Sequence, residues 1–254
     1  MQFVRFRVGN EVHYGILEDG RIQVMAGTPF EADPAGRLTG QTFSLGEVQL
    51  LAPVIPGKIL AAAVNYPSHA INSPVPTKPE IFLKPPSSVI GPEEPVIIPA
   101  DAGRVDAEGE LVAVIGRRAR NVRPEEALNY VLGYTCGFDI SARVWQRGDR
   151  QWWRAKGSDT FSPIGPVIAT GLDPAKLTLR TRVNGVIRQE SPTSELVFDV
   201  PTLIATISRH MTLEPGDLIF TGTPGETPEI RPGDVIEVEI TGIGVLRNPV
   251  RGED

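Results

Sequence analysis

Residues 106–116 read DAEGELVAVIG, in which three acidic residues at alternate positions lead directly into an apolar segment. On a β-strand, alternate side chains share a face, with about 7 Å between neighbours two residues apart. Asp106, Glu108 and Glu110 would therefore repel one another unless they lie at a solvated strand entrance or a cation gathers them. Carboxylate oxygens are preferred ligands of hard cations such as Mg²⁺ and Ca²⁺. The segment predicts a buried strand that begins with a solvated acidic edge or a cation site.

In the rest of the chain, turn-forming residues are distributed as in a mainly β protein. Its 26 Gly and 24 Pro separate short apolar runs throughout the 254 residues. Asn184 and Gly185 stand between two strand-like runs and predict a two-residue hairpin turn. Two segments show helical spacing, RPEEALNYVL at 123–132 and VPTLIATISRHM at 200–211. Apolar density rises near APVIPGKIL, which predicts a small N-terminal β domain over 1–55 and a larger domain over 56–254.

Composition excludes several classes of function. The net charge is −6, and no Lys/Arg run or basic aromatic patch suggests a nucleic-acid partner. No apolar run approaches the roughly 20 residues that span a bilayer. We therefore expect a cytoplasmic protein with no membrane partner. The single cysteine, Cys136, cannot form an internal disulfide, and we expect it to pack in the core.

Two more segments carry charged side chains in apolar surroundings. Asp139 lies in GYTCGFDIS, where an unpaired buried carboxylate would be costly, so it requires a partner. Lys156 lies in QWWRAKGSDTFSPIGP, before a loop rich in Gly, Ser and Pro rather than on a helix face. An amine in that place could bind an anionic substrate or polarise an enolate, or it could simply be solvated.

Two loop segments are weaker candidates. His69 lies in VNYPSHAINSP, where three prolines exclude a long helix or a central strand. Most histidines in such loops are surface residues, and a catalytic role is the alternative. Thr221 and Thr223 lie in FTGTPGETPEIRPGD, a turn whose N–H groups and hydroxyls could meet a carboxylate. Turn formation alone would also explain that segment.

Seven segments together resemble the fumarylacetoacetate hydrolase family, over roughly residues 56–250. In chain order they are LAAAVNYPSHA, EIFLKPPSSVIGP, VDAEGELVAVIG, GYTCGFDISAR, QWWRAKGSDTFSPIGP, VNGVIRQ and LIFTGTP…RPGDVIEVEITGIGVLRNPV. Within the family, the chain is similar to the bacterial 2-hydroxyhepta-2,4-diene-1,7-dioate isomerase and acylpyruvase-like group. The resemblance implies a mixed β-roll or β-sandwich catalytic domain and a homodimer. It also implies one divalent cation, Mg²⁺ or Mn²⁺ in most relatives and Ca²⁺ in some.

The resemblance also carries the family's functional positions onto this chain. They are the metal ligands Glu108, Glu110 and Asp139, the active-site lysine Lys156, the lid histidine His69, and the substrate-contacting residues Arg143, Gln146 and Thr223. Asp106 then lies outside the group that touches the cation, as a neighbouring or solvated side chain. We expect Glu108→Ala to abolish metal-dependent activity and Asp106→Ala to leave most of it.

The implied substrate is a 2-oxo or 2,4-dioxo acid that chelates the cation, with Lys156 stabilising the enolate formed when a carbon–carbon bond breaks. Family hydrolases pair the lid histidine with a glutamate three residues later, but Asn72 occupies that position here. An amide cannot accept a proton, which weakens the case for an activated water. Val144 and the segment Glu226–Pro228 also depart from the family pattern and predict an altered substrate pocket.

Three functions follow from these observations. The first is hydrolytic carbon–carbon cleavage of an acylpyruvate-type substrate, of the kind found in aromatic-compound catabolism. The second is decarboxylation or keto–enol isomerisation of the same substrate class, which needs the cation and Lys156 but no activated water. The third is a non-catalytic module that binds a cation or a carboxylate. A lysine and a histidine beside three metal ligands argue against this third function, because a structural ion needs neither.

Overall fold

The computed structural model describes residues 1–31, 33–70 and 74–253. The chain is mainly β, as the sequence predicts. The strands are β1 Gln2–Val8, β2 Glu11–Glu18, β3 Arg21–Met25, β4 Leu38–Ser44, β5 Gln49–Leu51, β6 Ile59–Ala63, β7 Glu80–Lys84, β8 Val89–Ile90, β9 Val96–Ile98, β10 Val105–Asp106, β11 Gly109–Ile115, β12 Val131–Phe138, β13 Ser141–Ala142, β14 Ser162–Ala169, β15 Thr178–Val183, β16 Val186–Pro192, β17 Leu218–Phe220, β18 Glu229–Ile230, β19 Val235–Ile240 and β20 Gly244–Gly252. The α-helices are α1 Arg143–Gly148, α2 Trp153–Gly157 and α3 Val200–His210, and the 3₁₀ helices are Pro34–Arg37, Leu45–Glu47, Pro67–His69, Pro86–Ser88, Pro124–Tyr130 and Thr193–Glu195. Among the residues described, none of the helices combines the length and the apolar character of a membrane-spanning segment.

The described strands form three sheets. The largest has the order β4-β3-β2-β1-β14-β12-β11-β17-β6-β7, with β5 also paired to β1 and β8 to β14. A five-stranded sheet has the order β16-β15-β19-β20-β9, and the short strands β13, β10 and β18 form the third sheet. Side chains from β11 and β12 share one buried cluster with those of β15, β19 and β20. This arrangement confirms the predicted mixed β-sandwich.

Strand β11 is the apolar run of the acidic segment, and it is buried along its whole length. Leu111, Ala113 and Ile115 pack into the main core against the five-stranded sheet. Val112 and Val114 face the opposite side of the largest sheet and pack into a second cluster. A continuous apolar run is what a strand covered on both faces requires, whereas a half-exposed strand would alternate. The start of β11 is therefore fixed inside the molecule.

Of the predicted hairpin and the two predicted helices, the hairpin and one helix agree with the structure, and the other helix is wrong. Strands β15 and β16 form the predicted hairpin, and Asn184 and Gly185 both have positive φ, 52° and 77°, as a type I′ turn requires. Segment 200–211 forms α3 as predicted. Segment 123–132 instead forms a 3₁₀ helix that ends at Tyr130, and β12 begins at Val131. Pairing of Val131 with Ile115 in the sheet overrides the helical spacing there.

The N-terminal strands belong to the largest sheet. Strand β1 pairs with β14, with Gln2 opposite Ala169 and Phe3 opposite Ile168. The N-terminal β region expected from the sequence is therefore present, and it is hydrogen-bonded to the strands that follow. The division of the chain at residue 55 stays a prediction. Cys136 is fully buried in β12, as expected, and burial raises the pKa of its thiol.

Candidate functional site

Three buried carboxylates meet where β11 and β12 lie side by side. Glu110 is in β11, Glu108 precedes that strand, and Asp139 follows β12. The two strands are antiparallel, and the Asp139 N–H donates to the Glu108 carbonyl at 2.9 Å, which brings the three side chains together. Each side chain offers an oxygen that lies within 4.8 Å of those of the other two. The ladder between β11 and β12 therefore joins carboxylates about thirty positions apart into one cluster.

The acidic segment is not one continuous strand, which corrects the expectation that its three acids share a strand face. Asp106 belongs to β10, Glu108 lies in the break between β10 and β11, and Glu110 belongs to β11. Asp106 is only 2% exposed, so the solvated alternative is also wrong. Its carboxylate is held by arginines instead. The break separates Asp106 from the cluster that Glu108 and Glu110 form with Asp139.

The donor set fits a hard divalent cation. All three carboxylates are at most 3% exposed, and Mg²⁺ and Mn²⁺ prefer oxygen ligands of this kind. Burial and the nearby charges of Asp139 and Glu108 raise the pKa of Glu110 well above its usual value. Burial also disfavours the Glu108 anion, but the charges of Lys156 and Arg143 outweigh it and lower the pKa of Glu108. A dication would relieve the repulsion that Glu110 experiences.

Lys156 lies beside this cluster and is 3% exposed. Its Nζ donates to Glu108 Oε2 at 2.6 Å and to Asp139 Oδ2 at 2.5 Å. Burial lowers the pKa of the amine, but Asp139 and Glu108 outweigh that effect and raise it. Lys156 does precede a loop, as predicted, but the expectation that it is not on a helix is wrong, because the residue is in the last turn of α2. That helix has five residues, too few for a helical period to show in the sequence.

A second lysine in the cluster was missed by the sequence reasoning. Lys84, at the end of β7, donates to Asp139 Oδ1 and, at 2.9 Å, to the Phe161 carbonyl. Its side chain is fully buried, and burial lowers the pKa of its amine despite the opposing charge of Asp139. The available signal was a lysine at the end of an apolar run in EIFLKPP. Lys84 and Lys156 are thus the partners that Asp139 requires, which the sequence alone did not identify.

Arg143 and Gln146 lie together at the first turn of α1. Arg143 Nη2 donates to Glu108 Oε1 at 2.6 Å, and Arg143 Nη1 donates to Gln146 Oε1 at 2.8 Å. Arg143 Nε donates to Asp106 Oδ2 at 2.9 Å. Burial opposes the cation, but Glu108 and Asp106 raise the pKa of Arg143 further above its usual value. Arg143 therefore connects Asp106 to the three-carboxylate cluster.

The turn after β17 forms another side of the site. The Gly222 N–H, at a φ of 103° that favours glycine, donates to Glu110 Oε2 at 2.6 Å. Thr223 Oγ1 donates to the Gly109 carbonyl at 2.9 Å and accepts from Gln189 Nε2 at 2.9 Å. Gln189, which comes from β16, was not among the predicted site residues. Thr223 is thus held by the backbone of the acidic segment and by Gln189.

His69 contacts the same turn. Its Nδ1 lies 2.6 Å from the Gly225 carbonyl oxygen. Because a carbonyl only accepts, Nδ1 carries the hydrogen, and in the neutral ring Nε2 keeps its lone pair. The hydroxyl of Ser68 accepts from the Gly225 N–H at 3.1 Å and supports the same arrangement. Asn72, where the family pattern has a glutamate, lies outside the described residues.

One cleft of about 50 Å³ joins these groups. It is lined by Ala62, Ala63, Val64, His69, Phe82, Glu108, Glu110, Arg143, Gln146, Trp152, Lys156 and Thr223. Seven of the eight predicted site residues therefore meet there, and Asp139 lies behind them against the two lysines. The cleft combines carboxylates for a cation, an ammonium group and an imidazole. That set can bind an anionic oxo compound and move a proton next to its carbonyl.

Two family models match the chain. Residues 58–251 match the model described as fumarylacetoacetate (FAA) hydrolase C-terminal. Residues 1–53 match the model described as Rv2993c-like, N-terminal.

Among curated relatives, oxaloacetate tautomerase fahd2, mitochondrial, from Xenopus laevis is 42% identical over 222 residues, which cover 82% of this chain and 70% of that protein. Among solved structures, 5-carboxymethyl-2-hydroxymuconate delta-isomerase from Mycobacterium smegmatis has a TM-score of 0.94 and 44% identity, with all of both chains covered. Maleylpyruvate hydrolase from Sphingobium sp. SYK-6, in complex with manganese(II) ion and pyruvate, has a TM-score of 0.83 and 32% identity, again with both chains fully covered.

Proposed function

The chain belongs to the fumarylacetoacetate hydrolase family, and we propose that it is a divalent-cation-dependent enzyme that enolises a 2-oxo acid. The observation that carries the proposal is one cleft in which carboxylates for a cation stand beside Lys156 and His69. Family relatives include a tautomerase, isomerases and hydrolases, so membership alone leaves the reaction open. Keto–enol chemistry is the step that the cleft supports best, and we place it first.

Three carboxylates, Glu108, Glu110 and Asp139, would hold the cation, Mg²⁺ or Mn²⁺. Support for manganese comes from the similar maleylpyruvate hydrolase, which was solved with that ion and pyruvate. When bound, such a cation supplies Lewis-acid stabilisation of the enolate oxygen and a template for the substrate. The chain's own residues would supply the remaining chemistry.

His69 would act as the general base, and Lys156 would stabilise the negative charge that develops on the substrate oxygen. His69 Nε2, with its lone pair free in the neutral ring, would accept the proton from C3 of the oxo acid. The C3–H electron pair becomes the C2–C3 double bond, and the carbonyl pair moves to the oxygen. Lys156 would donate a hydrogen bond to that developing oxyanion. Return of the proton to the oxygen gives the enol, so the tautomerisation gains and loses no atoms.

Charge in and around the cleft favours a dicarboxylic oxo acid. The cluster and the ion pairs that continue it contain four carboxylates, Asp106, Glu108, Glu110 and Asp139, and four cationic side chains, Lys84, Arg104, Arg143 and Lys156. These formal charges balance, so a divalent cation would leave the site with an excess of two positive charges. A dianion such as oxaloacetate would neutralise that excess. The substrate named for the Xenopus relative has this chemistry.

Hydrolytic carbon–carbon cleavage, which the resemblance alone placed first, is the second candidate. The presence of His69 in the cleft and the similarity to maleylpyruvate hydrolase favour it. Decarboxylation of the same oxo acid would use the same enolate and is a further outcome. Hydrolysis needs a water activated in the cleft in addition to the enolate, and Asn72 stands where family hydrolases carry the glutamate that pairs with the lid histidine for that step. We therefore place hydrolysis below tautomerisation.

Three assays on one preparation test the proposal. With Mn²⁺ or Mg²⁺, we expect faster enol-to-keto conversion of oxaloacetate, followed by its ultraviolet absorbance. Pyruvate release from oxaloacetate reports decarboxylation, and loss of acetylpyruvate absorbance reports hydrolysis.

His69→Asn should slow the conversion of oxaloacetate by about 100-fold or more, as loss of a general base does. His13→Asn is the matched control, because His13 lies in β2 outside the cleft. No metal-dependent change in any assay would contradict the proposal.

We also propose that the protein is a homodimer. Leu83 and Trp153 are 53% and 69% exposed and line one groove of about 500 Å³ at the outer strand β7. An exposed apolar surface beside an unpaired strand edge commonly marks an interface. Light scattering after size exclusion should give twice the chain mass, and Trp153→Asp should shift it to the monomer. A monomeric wild-type chain at micromolar concentration would contradict the proposal.

A further inference from the structure

Asp106 is a buried carboxylate that takes no part in the three-carboxylate cluster. It accepts hydrogen bonds from Arg104 Nε at 2.8 Å and Arg104 Nη2 at 3.2 Å. It also accepts from Arg143 Nε at 2.9 Å and from Thr227 Oγ1 at 2.7 Å. Because Asp106 is only 2% exposed and accepts four hydrogen bonds, its carboxylate is held in one orientation and is not solvated.

Arg143 is held by almost all of its donors. Nε donates to Asp106, and Nη2 donates to both Glu108, at 2.6 Å, and Thr227, at 2.7 Å. Nη1 donates to Gln146 at 2.8 Å. Four of the five guanidinium N–H groups are therefore engaged within the described residues, and the planar fork cannot turn without breaking several of these bonds. Its fixed orientation in turn fixes one oxygen of Glu108.

The backbone holds the same residues in place. In the small sheet, Asp106 of β10 stands opposite Ser141 of β13 on one side and Glu229 of β18 on the other. The Arg143 N–H donates to the Arg104 carbonyl at 2.8 Å, and the Ala107 N–H donates to the Pro228 carbonyl at 3.0 Å. The turn that carries Thr227 and the start of α1 are thereby tied to the strand that precedes Glu108.

We propose that Asp106 and Thr227 are positioning residues for the cation site, and that they act through Arg143 on Glu108. The inference rests on the proposed function only in requiring that Glu108 binds a divalent cation. Groups that orient a metal ligand restrict its rotamers, and their loss typically weakens metal binding by 10- to 100-fold.

The structure therefore changes the expectation for Asp106. Replacement by Asn keeps the shape but removes the charge that Arg104 and Arg143 share. Arg143 would then interact more strongly with Glu108 and compete with the cation for that carboxylate. We expect the dissociation constant for Mn²⁺ to rise about 10-fold in Asp106→Asn. Thr227→Val removes one hydroxyl bridge and should raise it about 3-fold, while Thr227→Ser should retain wild-type affinity.

Calorimetric titration of Mn²⁺ into the wild-type chain and these three variants tests the inference without an activity assay. Asp149→Asn is the matched control, because Asp149 also accepts a two-point contact from one arginine, Arg154, at 2.7 and 2.9 Å, but does not line the cleft. Its Mn²⁺ affinity should equal that of the wild type. Circular dichroism and thermal unfolding verify that each variant is folded.

The outcomes distinguish the positioning role of Asp106 and Thr227 from the existence of the cation site itself. Wild-type Mn²⁺ affinity in a folded Asp106→Asn variant would overturn the positioning role and leave the cation site intact. If Asp106→Asn does not fold, Thr227→Val decides in its place: equal affinity in Thr227→Val and Thr227→Ser would overturn the role. A wild-type chain that binds no Mn²⁺ would contradict the proposed function, and the positioning role with it.

Discussion

Gly109 stands between the two glutamates of the cluster at a point where the sheets approach closely. A methyl group on this residue would lie 2.1 Å from Thr181 Oγ1 and 3.2 Å from Val238 Cγ2, both in the five-stranded sheet. The absence of a side chain therefore lets that sheet cover the start of β11. This role of the glycine in DAEGEL could not be predicted from the sequence, because Thr181 lies far from Gly109 along the chain.

Gly109→Ala should lower the free energy of unfolding by about 1–3 kcal/mol, the usual cost of overpacking a core. Adding Thr181→Ala should recover much of this loss, because it removes the closest clashing atom. Thr181 Oγ1 has no hydrogen-bond partner among the described residues, so its removal leaves no group unpaired. Urea unfolding of the two single variants and the double variant measures the coupling. A double variant no more stable than Gly109→Ala would contradict this explanation.

The metal-ligating acids could be predicted from the sequence, whereas most of the side chains that hydrogen-bond around them could not. Glu108, Glu110 and Asp139 could be predicted because carboxylates in apolar strands are conspicuous and their segments resemble one family. Lys84 and Gln189 could not, since their contacts join positions 55 and 34 residues apart. Such pairs are set by strand register and by the approach of separate sheets. Asp106 was placed outside the cluster, but its contacts with Arg104 and Thr227 depend on the same tertiary arrangement.

At the element scale, α3 carries its own start signal. Asp199 has extended backbone angles, and its side chain accepts from the Thr202 N–H at 2.9 Å. Pro201 occupies the first turn, and Leu203, Ile204 and Ile207 form the buried face. These signals are local, which is why the helix could be predicted from the sequence. Helices α1 and α2 have six and five residues and offer no comparable period.

Asp199→Ala should destabilise the protein by about 1 kcal/mol, the typical cost of removing an N-cap. Asp199→Asn is the matched control, because an amide oxygen can accept the same hydrogen bond and Asn is a comparably good cap. Chemical denaturation of both variants beside the wild type measures the difference. Equal loss in the two variants would attribute the effect to the charge of Asp199 instead of to the cap.

At the scale of the whole molecule, a bound cation should stabilise the fold by mass action. A Mn²⁺ site that forms only in the folded chain, as we propose for the three buried carboxylates, predicts a gain of about 2.7 kcal/mol at a Mn²⁺ concentration 100 times its dissociation constant. Thermal unfolding with Mn²⁺ and with EDTA measures this gain. Glu110→Gln should lose most of it, whereas Glu190→Gln, on the exposed part of β16, should keep it. An equal gain in both variants would place the ion elsewhere.

The pairing of β1 with β14 sets an order in which the sheet can be completed during synthesis. The part of β1 that pairs with β5, Arg5–Arg7, can be covered as soon as residue 51 has been made. Gln2 and Phe3 pair with Leu17 and Ile16 on one side, but their partners on the other side, Ala169 and Ile168, are made much later. While residues 52–169 are being made, the N-terminal strands therefore have an incomplete edge, which is the kind of surface that chaperones cover.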